Sequence, residues 1–330
     1  VKVTEASVPG LPAPAEMLAV SPAHGLPVLK GLRLDPENPL HIDFIIDTMD
    51  EKVVDREDAD RFVSYFLAAV TTPQEELWVN LSPDEDDRIL AEGLDMTQLG
   101  RDLLAQDYLL KQLASSLTHP DTTVGKAYWA GVGAIRESPL QADESKIWIV
   151  PDKAEVYESG TTAVITEASL KLQCEDEAQS VLIPAITEDV NRGKNFARLR
   201  QIYHAILLGL WFKEKFRQSF FDQYIDKAKL SGIDTSDPAL KEKIFGLYVQ
   251  SFKRGVYDVM RNVETLHATS LQKAHRRYFS GGHDFTGIAI SSAVTEVSKP
   301  RMRQFLTSTE MFSGSSSIVG VQLNVILLSS

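Results

Sequence analysis

Four groups of residues in this 330-residue chain are of types that could do chemistry. The first is the run Asp84, Glu85, Asp86 and Asp87 inside WVNLSPDEDDRIL. Hard divalent cations take carboxylate oxygens. A calcium loop, however, spaces its acids at alternate positions and adds a glycine and a closing glutamate, which this run lacks. Adjacent carboxylates repel, stay hydrated and cannot all converge on one ion. The run therefore reads as a solvated turn, with Asp87 and Arg88 paired. Asp234, Thr235 and Asp237 read as capping and turn residues on the same grounds.

The second group is the seven histidines, His24, His41, His119, His204, His267, His275 and His283. None is spaced as a helical metal-ligand pair. His204, beside Tyr203 in an apolar stretch, reads as a core histidine with one hydrogen bond rather than a catalytic base. Ser280, His283 and Asp284 are the types of a hydrolase triad, but near neighbours in sequence rarely face one reacting atom, and no Gly-x-Ser-x-Gly elbow exists. The third group is glycine-based. GVGAIR (131–136) lacks the third glycine and the preceding strand of a dinucleotide fingerprint. Gly125-Lys126 lacks the upstream glycine of a phosphate loop.

The fourth and strongest signal is RGKNFARLRQIYH, where Arg192, Lys194, Arg198 and Arg200 cluster with Phe196 and Tyr203 between them. Read functionally, these four bases form an anion-binding or single-stranded nucleic-acid groove. Read structurally, they are a basic face that meets the acidic N-terminal half. A helix macrodipole disfavours cations at its N-terminus, so salt bridges within the chain are the expected compensation. No catalytic residue, metal ligand set or cofactor is assigned from the sequence.

These residues need elements to position them. HIDFIID (41–47) alternates as a strand, and Asp55 caps a helix whose apolar face holds Phe62, Val63, Phe66, Leu67 and Val70. A second strand covers 76–81. Thr97 caps a helix faced by Leu99, Leu103, Gln106, Leu110, Leu113 and Leu117, with Asp107 and Lys111 paired on its solvent side. A weaker helix starts at Asp121. KIWIVP, AEVYE and TAVITEASLKL read as three strands, with a hairpin turn at 158–161. Helix resumes from Glu177, kinked or split by Pro184, and a long central helix runs from Phe196 to about Tyr224. Another helix follows Pro238. The uncharged, apolar segment Ile318–Leu328 is expected to pair with a sheet edge, its own or a neighbour's.

The bulk numbers bound the classes. With 43% hydrophobic and 24% charged residues the chain can bury a sizeable core. The net charge is −12, and the first 150 residues hold 26 acids against 12 bases. Such a surface repels nucleic-acid backbone and anionic membrane, so no nucleic acid is expected as partner. Cys174 is the only cysteine, which excludes an intrachain disulfide and a Cys-rich zinc site. The apolar run at 205–212 is too short to span a bilayer. The chain begins at Val1 rather than Met, so a processed or partial chain is expected; cytoplasm and periplasm both stay open.

WVNLSPDEDDRI, GRDLLAQDYLLKQ, IWIVPDKAEVYE, SLKLQ, GKNFARLRQIYH and RRYFSGG, in this order, resemble an uncharacterised bacterial protein family without assigned activity. The resemblance spans residues 26–285 and implies no ligand or catalytic residue. Relatives often carry a polar insert where this chain has Cys174-Glu175-Asp176, and often lack the acids at Asp84 and Asp86.

The expected fold is α+β: a small, mostly antiparallel sheet packed on a bundle of long helices. Residues 1–39 are expected as an extended Pro-rich arm, 40–285 as one α+β domain, and 286–330 as a Gly/Ser-rich segment ending in a strand. The expected function is a non-enzymatic structural or protein-interaction module, a homo-oligomer or partner binder acting through the N-terminal arm and Ile318–Leu328. The alternative is an enzyme of unrecognised class with a cleft near Arg198, Arg200 and His204.

Overall fold

The structure is a computed structural model that describes residues 17–35, 41–49, 54–80, 90–91, 93–135, 146–175, 177–215, 281–293, 309–310, 316–318 and 321–328. The acidic run at 84–87, the loop at 231–237 and the helices expected beyond residue 215 lie outside them.

Helices and one mixed sheet make up the regular structure of the described residues. The sheet opens with strands β1 (Val28–Leu34) and β2 (His41–Asp47), paired antiparallel. β1 falls within the segment expected as an extended Pro-rich arm. Its sequence hides it: a register shift between Leu29 and Gly31 breaks the alternation that marks a strand. Gly31 is there for contact, since a Cβ would sit 2.4 Å from the carbonyl oxygen of Ala163. β4 (Ile147–Ser159) and β5 (Thr162–Cys174) form a long hairpin, turned at Gly160 with φ of 59°. β4 is one strand where two were expected, because a register shift at Pro151/Lys153 absorbs the proline without ending the ladder.

The short strands β3 (Trp78–Asn80), β6 (Gly282–Asp284) and β7 (Ser291–Ala293) extend one end of this sheet. At the other end β10 (Val321–Leu328) lies parallel to β2, with β8 (Thr309–Glu310) and β9 (Ser316–Ile318) antiparallel to it. The order is β3-β6-β4-β5-β1-β2-β10-β8, with β7 on β4 and β9 on β10. The sheet is thus larger than the small one expected, and β10–β2, β4–β6 and β4–β7 are parallel pairs.

The helices start where the capping residues say. Asp55 accepts from the Asp58 amide at 2.7 Å to open α1 (Arg56–Thr71), and Thr97 Oγ1 accepts from the Gly100 amide at 2.9 Å to open α2 (Gln98–Leu117). α3 (Thr123–Ile135) follows. Pro184 stands in the first turn of α4 (Ile183–Arg192), after a separate 3-10 turn at Glu177–Val181, so the helical stretch is split there rather than kinked. α5 (Ala197–Lys215) is buried continuously from Ala205 to Phe212. It crosses α1 closely: a Cβ on Gly209 would lie 2.7 Å from that of Ala69. Phe66 stands edge-on to Phe44 of β2 and to Phe212 of α5, at 5.1 and 5.6 Å between centroids, tying sheet and both helices into one core. Among the described residues no helix is long and apolar enough to cross a membrane.

Candidate functional site: a polar cradle at the α4–α5 corner

The turn between α4 and α5 is where the basic cluster falls. α4 ends at Arg192, and its last carbonyls need donors. Arg200, one turn into α5, reaches back to supply them: Nη1 donates to the carbonyls of Gly193 at 2.8 Å and Val190 at 3.0 Å. Burial lowers its pKa to about 10, opposed by Asp189, so it stays charged at neutral pH. A guanidinium at the C-terminal end of α4 answers the macrodipole problem that its place in α5 raises.

The same corner holds the N-terminal segment. Nη2 of Arg200 donates to the His24 carbonyl at 2.9 Å, and Gln201 Nε2 to the Pro27 carbonyl at 2.6 Å. Asn195 Nδ2 donates to the Ala19 carbonyl at 2.9 Å, and its amide donates to Ser21 Oγ at 3.0 Å. The His24 amide donates to the Arg192 carbonyl, the Lys194 amide to that of Pro22, and the Leu18 amide to Ser116 Oγ of α2. Asp189 is fully buried beneath, accepting from Ser21 Oγ at 2.5 Å and Asn195 Nδ2 at 2.7 Å. Residues 18–27 thus lie in a cradle that reads main chain; among the described residues Ser21 is the side chain that it hydrogen-bonds, and Leu18 packs against the core.

The four predicted bases therefore separate. Arg200 points into the corner. Arg198 turns toward α1, donating to Gln201 Oε1 at 2.6 Å and standing 3.6 Å from Asp58, which also pairs with Arg61. Arg192 is exposed, 3.5 Å from Glu188, and Lys194 is exposed on the rim. Between α1 and α2, Tyr65 donates to Asp102, which Gln98 also contacts. Burial, with Asp102 beside it, pushes the Tyr65 hydroxyl well above its usual range.

His204 is half-buried, with Nδ1 3.2 Å from the Leu29 carbonyl, and burial with Lys30 nearby lowers its pKa to about 4. It joins α5 to β1 as a neutral ring. Gly131 and Gly133 are inside α3, not in a strand-to-helix turn. His283 is wholly buried on β6, while Asp284 accepts from the Thr286 amide and hydroxyl. Neighbouring strand residues point to opposite faces, which separates these two triad candidates. Among the described residues no three His, Cys, Asp or Glu side chains gather as a metal site.

The pair expected at the surface is internal. Asp107 and Lys111 do pair at 2.5 Å, but their side chains are 0% and 4% exposed. Lys111 Nζ also donates to the Gly281 carbonyl at 2.9 Å, fastening α2 to the start of β6. α2 is buried on a second flank as well as on its leucine face. The sequence trace is faint: small residues Ala114 and Ser115, one turn beyond Lys111, are buried too.

No family model, curated protein or solved structure matches this chain. The N-terminal cradle was missed because main-chain recognition leaves little imprint on sequence; the residues that build it, Asp189, Asn195 and Gln201, are ordinary polar types.

Proposed function

We propose that the protein is a non-enzymatic structural or protein-interaction module that assembles through its terminal segments. The observation that carries this reading is the direction of the donors at the α4–α5 corner: Arg200, Gln201 and Asn195 turn to the carbonyls of an extended segment. A corner that recognises main chain can receive an extended segment from its own chain or from a second copy. The acid an enzyme would use beside Arg200 is Asp189, and Ser21 and Asn195 already occupy it. The acidic excess and the basic rim at Arg192 and Lys194 favour contact between unlike faces of two copies, with those bases as a weak anion site. In this reading the body carrying the segments is an antiparallel core sheet packed on a bundle of long helices.

The test is light scattering of the intact chain over a range of concentrations, with and without an excess of a synthetic peptide of residues 17–27. The proposal predicts assembly with rising concentration, and its loss when the peptide fills the corner. A monomer at every concentration that also ignores the peptide would contradict it.

A further inference from the structure

Buried lysines are rare unless paired, and breaking such a pair is costly, so Lys111 calls for a reason. Its ammonium nitrogen is 2.5 Å from Asp107 Oδ2 and 2.9 Å from the Gly281 carbonyl oxygen. His283, two residues past Gly281, is fully buried, and neither ring nitrogen has a hydrogen-bond partner among the described residues. Val79, Ile149 and Phe285 are buried at the same end of the sheet. A nucleophile and an acyl carbon are thus held in contact among buried residues, with a buried imidazole on the strand that starts beside them.

We propose that Lys111 and Asp107 react with each other, forming an amide between Lys111 Nζ and Asp107 Cγ with loss of one water. In apolar surroundings desolvation penalises both charges, so the ammonium passes a proton to the carboxylate and gives a neutral amine beside a neutral acid. The amine lone pair attacks Cγ. His283 takes a proton from the nitrogen of the tetrahedral adduct on one ring nitrogen and returns one from the other to the departing hydroxyl. The C–O bond breaks, water leaves, and the amide keeps one N–H. Ammonium and carboxylate are converted to amide and water, with no oxidant or reductant. Holding the two groups in contact supplies the effective concentration that free amine and acid lack, and exclusion of water slows the reverse hydrolysis. His283 stands on β6, two residues past the Gly281 carbonyl that Lys111 contacts.

The test is the mass of the intact, denatured full-length chain, followed by tryptic mapping. The expected mass is one water below that of the sequence, with no cleavage after Lys111 and a cross-link between residues 107 and 111. Lys111→Arg should restore the full mass. After refolding, His283→Phe should slow the mass loss several-fold. The sequence mass with normal cleavage after Lys111 would overturn the proposal. So would a loss of ammonia, or a loss of water mapped elsewhere. A His283→Phe chain that links as fast as the parent would remove His283 from the step. Mass is independent of oligomeric state, so this result and the assembly reading stand or fall separately.

Discussion

His283 and His204 are neutral bases held in apolar surroundings, and that makes the fold sensitive to acid. Burial lowers His283 to about 3 and His204 to about 4, from an ordinary value of 6.5. A base whose pKa is depressed by folding binds more protons in the unfolded chain. The stabilisation is therefore fully present above about pH 6.5 and is lost as pH falls toward about 4 and below. Chemical denaturation at a series of pH values should show stability dropping over this window by several kcal/mol, at roughly 1.4 kcal/mol per unit for each ring. His283→Phe should flatten that part of the curve, and an unchanged slope would remove His283 as its source. Lys111 gives a second residue-level expectation. Lys111→Met alone leaves Asp107 uncompensated in the interior and should cost about 3–5 kcal/mol. The double change Asp107→Leu with Lys111→Met should recover much of that loss in the same assay.

At the scale of elements, α5 is the piece on which the rest is built. Leu207 is fully buried, so Leu207→Ala should destabilise by about 2–5 kcal/mol in urea unfolding. A change under half a kcal/mol, on the order of that for a surface site, would mean the helix is not central. Ala69→Leu tests the α1–α5 crossing, because Gly209 leaves no room there; overpacking should cost about 1–3 kcal/mol. The caps at Asp55 and Thr97, the β4–β5 hairpin and the buried run of α5 were legible in sequence, because each rests on local pattern: a capping side chain, alternation, an unbroken apolar stretch. β1 was not, since its register shift spoils the alternation. Pro184 signals a break in the helical stretch from Glu177, and local pattern alone does not tell a kink from the split found, because a proline fits the first turn of a helix as well as it breaks an interior one. Asp107 and Lys111 were placed in solvent because a helical spacing shows which residues share a face, not how many faces are covered.

For the whole molecule, the two ends of the chain meet the body in different ways. β10 runs beside β2 over the register from Gln322–His41 to Leu328–Asp47, as part of the sheet. Truncation after Gly314 should therefore weaken folding itself, read as a lower thermal midpoint and greater aggregation from the bared β2 edge. The N-terminal segment, in contrast, lies outside the ladder, held by hydrogen bonds to the corner and by Leu18 packed against the core; in the proposed reading it is the piece exchanged between copies. Composition speaks to neither end beyond an acidic balance that disfavours nucleic acid. Assembly by segment exchange is the central claim, and complementation tests it directly. Ser21→Glu sets a second carboxylate against buried Asp189 and spoils the segment while leaving the corner intact; Asn195→Ala with Arg200→Ala spoils the corner while leaving the segment intact. Light scattering should find each variant monomeric alone and a heterodimer when the two are mixed. Two variants that stay monomeric after mixing, beside an intact chain that assembles, would contradict the account.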